Sequence, residues 1–330
     1  MSTRTRPPVH SPLQLGMRVL GSGLALLAAA CGPQEEREHV NPLREYGITA
    51  NNAFFYYDDL DAATEFYSKT LGIRVIADYG FATILHVAPT SYLTLVDGSM
   101  GMHTPDESKT VAMALVTDQL DEWHAYLTEQ GVEMKYDYHP VEGRPHHGFV
   151  LLDPEGYYLE FERFNEHPEN RDLMPVLNSG ATLPADAEET TVPAGLGFKA
   201  TVLWLYYRDM DGIQRFYEDK LGLSLTVDQG WAKIYQTSLS GFIGPVDEKR
   251  GMHSFTEQKA VTVSLLTDDL DGWFEYVRTQ GAFELRSQQI EAEDERYRAF
   301  VGYDPEGYYL EFDTFRSHQA NASLLASLQR

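Results

Sequence analysis

The chain has 330 residues, of which 43% are apolar and 12% aromatic; this is enough for a hydrophobic core in each of two ordinary domains and excludes a disordered chain. A single cysteine excludes a scaffold held by disulfides within the chain. With 26 Lys and Arg against 50 Asp and Glu, the formal net charge is -24, and a field of this sign repels a phosphate backbone. Nucleic acid is therefore not expected as a partner.

The amino terminus has the pattern of an export signal. Three arginines precede the 13-residue apolar run 19–31, which is too short to span a bilayer as a helix. The run ends in Leu-Ala-Ala-Ala-Cys-Gly, with Cys31 as the only cysteine of the chain. This segment resembles a bacterial lipoprotein signal, and the resemblance implies that residues 1–30 are removed and that Cys31 is acylated.

Two points about this segment stay open. The pattern also fits a secretory signal that is cut after the three alanines, and Met17 could be the start in place of Met1. The lipoprotein interpretation predicts an exported protein that contacts the bacterial envelope through a lipid anchor. Gly32 follows the cysteine where inner-membrane lipoproteins often carry Asp, which favours the outer membrane. Residues 31–50 are polar and are predicted as a tether.

The rest of the chain contains an internal repeat. A shift of 150 residues superposes many identical residues, and after one inserted residue the sequence Asp153–Phe161 recurs unchanged as Asp304–Phe312. Nine consecutive identities indicate two copies of one fold. The predicted copies are 51–165 and 197–316, with a proline-rich, acidic linker at 166–196 and a tail at 317–330.

Each copy has the pattern of two similar modules, with one strand, one helix and three strands in each. In the first copy, a strand is followed by a helix that is capped by Asp61 and ends at Gly72. A second helix has Leu120, Trp123 and Leu127 on one face. The predicted strands of this copy are 53–57, 73–78, 81–87, 91–96, 111–117, 132–138, 147–152 and 157–163.

Paired modules that end in Asp-Pro-Glu-Gly-Tyr-Tyr-Leu-Glu resemble the vicinal oxygen chelate superfamily. This superfamily includes glyoxalase I, extradiol dioxygenases, fosfomycin-resistance proteins and bleomycin-binding proteins. The resemblance covers roughly 50–165 and 198–316. It implies an α+β fold of two tandem domains, in each of which paired βαβββ modules form a curved mixed sheet around a cleft.

The resemblance also implies where a metal would bind. In the metal enzymes of the superfamily, the first, fourth, fifth and last strands supply His, Glu or His, His, and Glu. The corresponding residues are Asn52, Thr94, Ala112 and Glu160 in the first copy and Val202, Gly244, Thr262 and Glu311 in the second. One carboxylate does not hold a catalytic ion, which usually needs about three protein ligands. No cofactor is expected, and a divalent metal beside Glu160 or Glu311 is the alternative.

Alternation along the strands predicts which side chains face each cleft. If the final turn pairs Leu152 with Tyr157, Phe149 lies opposite Glu160 and His147 lies opposite Glu162. The candidate ligand-binding residues are Tyr56, His147, Phe149, Tyr158 and Glu160 in the cleft of the first copy, and Trp204, Tyr206, Arg298, Phe300, Tyr309 and Glu311 in that of the second. The alternative is that these aromatic residues form core and that the carboxylates pair structurally.

These faces predict a protein that binds a small, partly aromatic organic molecule without a metal. One alternative is a metal-dependent lyase, isomerase or ring-cleaving dioxygenase with a displaced site, for which His147 with Glu160 and Glu162 is a candidate set. Another is an interaction scaffold whose clefts are filled by their own aromatic residues. Whether the protein is an enzyme stays open. His103 and His253 lie two residues after a glycine in the connection between modules and are interpreted as solvated or turn residues rather than ligands.

Overall fold

Four modules follow one another along the chain in the predicted order of strands and helices. The computed structural model describes residues 41–293 and 295–329. The predicted export signal, with Cys31, lies outside the described residues. After α1 (Pro42–Tyr46), the first module contains β1 (Ala50–Tyr57), α2 (Leu60–Glu65), β2 (Arg74–Asp78), β3 (Ala82–Ala88) and β4 (Ser91–Asp97). The second contains β5 (Val111–Val116), α3 (Leu120–Glu129), β6 (Met134–Tyr136), β7 (His146–Leu152) and β8 (Tyr158–Phe164).

The second copy repeats this order. Between the copies lie α4 (Met174–Ser179), β9 (Leu183–Pro184) and β10 (Gly197–Phe198). The third module contains β11 (Ala200–Tyr207), α5 (Met210–Arg215), β12 (Ser224–Asp228), β13 (Lys233–Gln236) and β14 (Gly241–Asp247). The fourth contains β15 (Val261–Leu266), α6 (Leu270–Gln280), β16 (Glu284–Leu285), β17 (Glu291–Glu293), β18 (Tyr297–Tyr303) and β19 (Tyr309–Phe315), and α7 (Ala322–Leu328) ends the chain.

The cap of the first helix in the first copy lies two residues before the predicted one. The side chain of Asp59, not Asp61, accepts a hydrogen bond from the backbone N–H of Ala62, as an N-cap does. After α2 the chain continues as one wider π turn, Phe66–Thr70, which buries Tyr67. The same cap and π turn recur in the second copy.

Two curved mixed sheets form, and each takes one module from each copy. The first sheet has the strand order β16-β18-β19-β15-β1-β4-β3-β2, with β17 paired to β18, and the second has the order β12-β13-β14-β11-β5-β8-β7-β6. The α+β class with paired modules is therefore confirmed. The expectation that each copy closes its own cleft is wrong, because β1 pairs with β15 and places Ala53 opposite Val263.

The repeated Asp-Pro-Glu-Gly-Tyr motif holds modules together. Asp153 accepts hydrogen bonds from the hydroxyls of Tyr57 (2.6 Å) and Tyr67 (3.1 Å), which belong to the first module of the same copy. The hydroxyl of Tyr157 accepts from the backbone N–H of Tyr56 and donates to the carbonyl of Ala260 in the other copy, at 2.6 Å. The motif is thus accounted for as a structural element.

The predicted linker and tail are parts of the folded core. Leu177 of α4 and Leu173 next to it are buried against the second sheet, in the segment predicted as a linker. In the predicted tail, Leu324 is buried and Ser327 is hydrogen-bonded to Tyr92 at 2.9 Å. Among the described residues, every helix is too short or too polar to cross a membrane.

Candidate functional site: two unequal clefts

The inner face of each sheet lines a cleft, and the two clefts differ in size. The cleft of the first sheet, here called the wide cleft, has a volume of about 520 Å³. The cleft of the second sheet, the narrow cleft, has a volume of about 120 Å³. Because each sheet combines two copies, β1 of the first copy and β19 of the second both line the wide cleft, and β8 and β11 both line the narrow one.

Aromatic side chains form the walls of the wide cleft. Along β1, Ala53, Phe55 and Tyr57 point into the core, so Phe54 and Tyr56 point into the cleft. The other aromatic wall residues come from the β2–β3 hairpin and from the last two strands of the fourth module: Tyr79, Phe81, Tyr297 and Phe315. The wall therefore offers large, rigid apolar surfaces to a ligand.

Two carboxylates lie on the floor of the wide cleft. Glu311 and Asp313 are two residues apart on β19 and share its inner face. Both are buried, and the hydroxyl of Ser264 on β15 donates a hydrogen bond to Asp313 at 2.9 Å. Burial raises the pKa of Asp313 to about 7, against the opposing effect of this hydrogen bond. The floor can thus accept hydrogen bonds from a ligand or exchange a proton with it.

The metal positions that the superfamily resemblance implies do not fit a metal in the wide cleft. Asn52 and Thr94 are hydrogen-bonded to each other at 2.8 Å. The hydroxyl of Thr262 is hydrogen-bonded to that of Tyr56 at 2.7 Å. Of the four positions, only Glu311 carries a charged metal-binding group. The neutral side chains of Asn52, Thr94 and Thr262 are hydrogen-bonded to each other or to Tyr56.

The same positions in the narrow cleft do not fit a metal either. Val202 and Ala112 have apolar side chains, and Gly244 has none. A methyl group at Gly244 would collide with the indole ring of Trp204, so this ring fills the space above the fourth strand. Of these four positions, only Glu160 can donate to an ion.

Bulky residues explain why the narrow cleft is smaller. Trp204 stands at the repeat position of Phe54, and Trp231 stands at that of Phe81. Each exchange replaces a phenyl ring with the larger indole. Thr94 of the wide cleft becomes Gly244, which makes room for the ring of Trp204.

A histidine and two glutamates meet on the inner face of the β7–β8 hairpin in the narrow cleft. Donor atoms of His146, Glu160 and Glu162 all lie within 4.8 Å of one another. Nδ1 of His146 is 2.6 Å from Oε1 of Glu162, whose side chain is 1% exposed. Burial lowers the pKa of His146, but the close contact with Glu162 and its charge, with the charges of Glu160 and Glu169, outweigh it and raise this pKa to about 9. Burial, and then the charge of Glu162, raise the pKa of Glu160 to about 8.

The final hairpin of each copy is shifted by one residue from the predicted register. Asp153 pairs with Tyr157 across a three-residue loop, with Gly156 at a φ of 95°, so Leu152 lies opposite Tyr158. Val150 therefore lies opposite Glu160, and Gly148 opposite Glu162. The second copy has the same shift.

This shift turns four of the predicted ligand-binding residues away from the clefts. Phe149 stacks on Phe161 in the core, with ring centroids 4.9 Å apart. His147 contacts the carbonyl of Val141 at 2.7 Å and does not join the glutamates. In the second copy, Phe300 stacks on Phe312 in the core, and Arg298 forms an ion pair with Asp271 on α6. For these residues the prediction was wrong.

The other predicted residues face the inner side, but they are divided between the clefts by sheet rather than by copy. Tyr56 and Glu311 line the wide cleft; Glu160, Trp204 and Tyr206 line the narrow one. Tyr158 and Tyr309 lie beside the clefts. The ring of Tyr158 contacts that of His253 and the ring of Tyr309 that of His103, with ring centroids 4.2 Å apart in each pair. The sequence analysis did not predict His146, Tyr297 and Phe81 as wall residues. For His146 and Tyr297 the signal was the glycine of the hairpin turn, Gly156 or Gly307, which favours the three-residue loop and so the observed strand register.

A sequence profile of the Glyoxalase/Bleomycin resistance protein/Dioxygenase superfamily matches residues 49–161. This segment belongs to that superfamily. Glyoxalase I from Zea mays has the same fold, with a TM-score of 0.58 and 15% identity over 88% of this chain and 98% of the maize chain. A Bacillus subtilis protein provisionally named a dioxygenase has a TM-score of 0.56 and 14% identity over 83% of this chain and 86% of its own. These likenesses show that the fold of both copies together is that of the two solved structures. No curated protein matches the chain in sequence.

Proposed function

We propose that the wide cleft binds a small, partly aromatic organic molecule without the metal that the superfamily's metal enzymes use. The observation that carries this proposal is a cavity of about 520 Å³ with aromatic walls and two buried carboxylates on its floor. Cavities of this size enclose ligands of drug-like size or smaller. Three of the four implied metal positions hold neutral side chains, so the metal is not needed to explain the cleft.

The chemistry of the cleft indicates the kind of ligand. Rings of Phe54, Tyr56 and Phe81 favour a flat apolar group, because stacked or edge-on aromatic contacts add to the burial of area. Glu311 and Asp313 favour hydrogen-bond donors at the inner end of the ligand. An aromatic amine or a phenol combines both features. Arg286 lines the same cleft and can pair with an acceptor on the ligand.

The test is ligand screening after removal of metals. The full chain is treated with EDTA and screened by thermal shift against aromatic amines, phenols and, as a comparison class, simple aliphatic acids. The best compounds are then titrated by calorimetry in EDTA. We expect saturable binding of one molecule per chain by an amine or phenol. A compound that binds only after Mn²⁺, Fe²⁺, Ni²⁺ or Zn²⁺ is restored would overturn the metal-free proposal and favour the metal-dependent lyase, isomerase or dioxygenase.

The narrow cleft supplies matched variants for this experiment. The double variant Phe54→Trp, Thr94→Gly copies Trp204 and Gly244 into the wide cleft and should fill it in the same way. We expect it to weaken binding by at least about tenfold, because a ligand cannot overlap a packed ring. Trp204→Phe enlarges the narrow cleft and should leave the affinity unchanged. If Trp204→Phe changes the affinity and the double variant does not, the ligand binds in the narrow cleft instead.

We also propose that the protein is exported and anchored to the bacterial envelope by a lipid on Cys31, with the outer membrane favoured. The support is the apolar run that ends at the sole cysteine. Mass spectrometry of the amino-terminal peptide tests this directly. A peptide that begins at Cys31 and carries acyl chains agrees with the proposal, and an unmodified Cys31 contradicts it.

A further inference from the structure

The narrow cleft contains a set of donors that its counterpart lacks. The repeat places Glu160 and Glu162 at the positions of Glu311 and Asp313, so both clefts have two carboxylates on the last strand. On the neighbouring strand, however, His146 stands where the wide cleft has Tyr297. The narrow cleft therefore has a nitrogen donor beside its carboxylates.

The carboxylates of the narrow cleft also lack a hydroxyl partner. In the wide cleft, Ser264 donates a hydrogen bond to Asp313. In the narrow cleft the repeat position of Ser264 is Ala114, which lies opposite Glu160. The methyl side chain of Ala114 cannot donate a hydrogen bond. The side chain of Glu162 is fully buried, and neither of its oxygens makes a geometrically good hydrogen bond within the described residues; Nδ1 of His146, 2.6 Å from Oε1, is its ion-pair partner. A buried carboxylate such as that of Glu162 needs a cation.

The narrow cleft leaves space for a cation in front of these side chains, and Gly148 carries no side chain that would crowd Glu160. Gly148 lies between His146 and Val150 on the cleft face of β7, opposite Glu162. A side chain there would come within 2.8 Å of the carbonyl oxygen of Phe161 and 3.5 Å of Oε1 of Glu160. The cleft in front of the three side chains has a volume of about 120 Å³, which is room for an ion and a few water molecules.

We propose that His146, Glu160 and Glu162 form a site for one divalent first-row transition-metal ion in the narrow cleft. One imidazole nitrogen and two carboxylates suit Mn²⁺, Fe²⁺, Co²⁺ or Zn²⁺, and three protein ligands leave a coordination position open to the cleft. Only Glu160 coincides with a position that the superfamily resemblance implies; the other two ligands come from the β7–β8 hairpin. The rival is a metal-free cluster in which a protonated His146 neutralises one carboxylate.

Co²⁺ is a suitable probe, because its visible absorption reports the number and kind of ligands. The full chain carrying Cys31→Ser, which removes the one thiol, is stripped with EDTA, dialysed and titrated with CoCl₂ by absorption and calorimetry. We expect one Co²⁺ per chain with a spectrum of nitrogen and oxygen ligands. Absence of saturable binding up to millimolar Co²⁺ would overturn the proposal in favour of the protonated cluster.

Two neighbouring histidines give a matched pair of variants. His146→Gln should weaken Co²⁺ binding by at least about tenfold, as loss of a ligand does. His147→Gln changes the adjacent residue, which faces the other side of the strand, and should leave the affinity within about twofold. Glu162→Gln serves as a second ligand variant, with thermal unfolding to verify that it folds. Binding that survives His146→Gln and Glu162→Gln, or that His147→Gln weakens equally, would overturn the assignment. Ligand binding by the wide cleft is measured in EDTA, so the two proposals fail separately.

Discussion

At the scale of single residues, equivalent side chains of the two copies have different surroundings. His103 and His253 occupy the same repeat position between modules, and each packs edge-on against the equivalent tyrosine, Tyr56 or Tyr206, at 5.0 Å. Nδ1 of His103 is 2.7 Å from Glu107, which supports its charged form. Among the described residues, no carboxylate pairs with His253 in this way. Burial, to which the charge of Lys135 adds, lowers the pKa of His253 to about 4.

This difference predicts a pH dependence of stability. The pKa of His253 is about 4 in the folded state and about 6.5 in the unfolded state, so between these values only the unfolded state binds the proton. The free energy of unfolding therefore falls as the pH drops through this window. From pH 7 to pH 5 the free energy of unfolding should fall by about 1–2 kcal/mol more in the wild type than in His253→Gln. Urea unfolding at each pH measures this difference.

His103→Gln is the control for this experiment. Because Glu107 opposes the effect of burial, we expect a smaller change in the pH slope than for His253→Gln. Equal slopes for the wild type and His253→Gln would show that His253 is not held neutral by the fold.

At the scale of elements, the turn between the last two strands of each copy determines which side chains reach the clefts. A three-residue loop with glycine in the left-handed region pairs Asp153 with Tyr157. A loop one residue longer would put Phe149 opposite Glu160 and turn His146 away. The chemistry of the narrow cleft thus depends on the backbone conformation of Gly156.

Gly156→Ala should destabilise the protein. No atom lies within 4 Å of a methyl group at this position, so the cost comes from the φ of 95°, which L-residues rarely adopt. We expect the free energy of unfolding to fall by about 1–2 kcal/mol in urea. Gly180→Ala is the control, because Gly180 has a φ of -78° and only ordinary contacts; it should lose nothing. A loss as large in Gly180→Ala would mean that backbone strain is not the cause.

At the scale of the whole molecule, the pairing of modules across copies determines which residues share a cleft. Tyr56 of the first copy lies in the same cleft as Glu311 of the second, and Glu160 in the same cleft as Trp204. Hydroxyls of Tyr157 and Tyr308 hold this arrangement by donating to carbonyls of the opposite copy, at Ala260 and Thr110. Each cleft is therefore built from both copies, and a single copy lacks half of each site.

Engineered cysteines test this pairing. In a Cys31→Ser chain, Ala53→Cys with Val263→Cys should form a disulfide on oxidation, because these residues are paired between β1 and β15. Ala53→Cys with Met113→Cys is the pair that would form if each copy closed on itself, and we expect none. Peptide mapping without reduction identifies the bond. A disulfide in the second variant and not in the first would contradict the exchange of modules.

The sequence by itself determined the repeat, the superfamily, the order of strands and helices, and the glutamate of each cleft. The repeat and the order of elements follow from local patterns, namely apolar alternation, helix caps and a nine-residue identity, whereas the superfamily and the two glutamates follow from the resemblance that the final-strand motif carries. It did not determine the partner of β1, because β5 and β15 occupy equivalent positions in the repeat and have the same apolar character, so either could pair with it. It also left the register of the β7–β8 hairpin open, because one residue of loop length exchanges the two faces of a strand. Only the tertiary structure decided both, through the backbone of Gly156 and the contacts of Tyr157 and Tyr308 with the opposite copy, and these decisions brought His146 to Glu160 and Glu162.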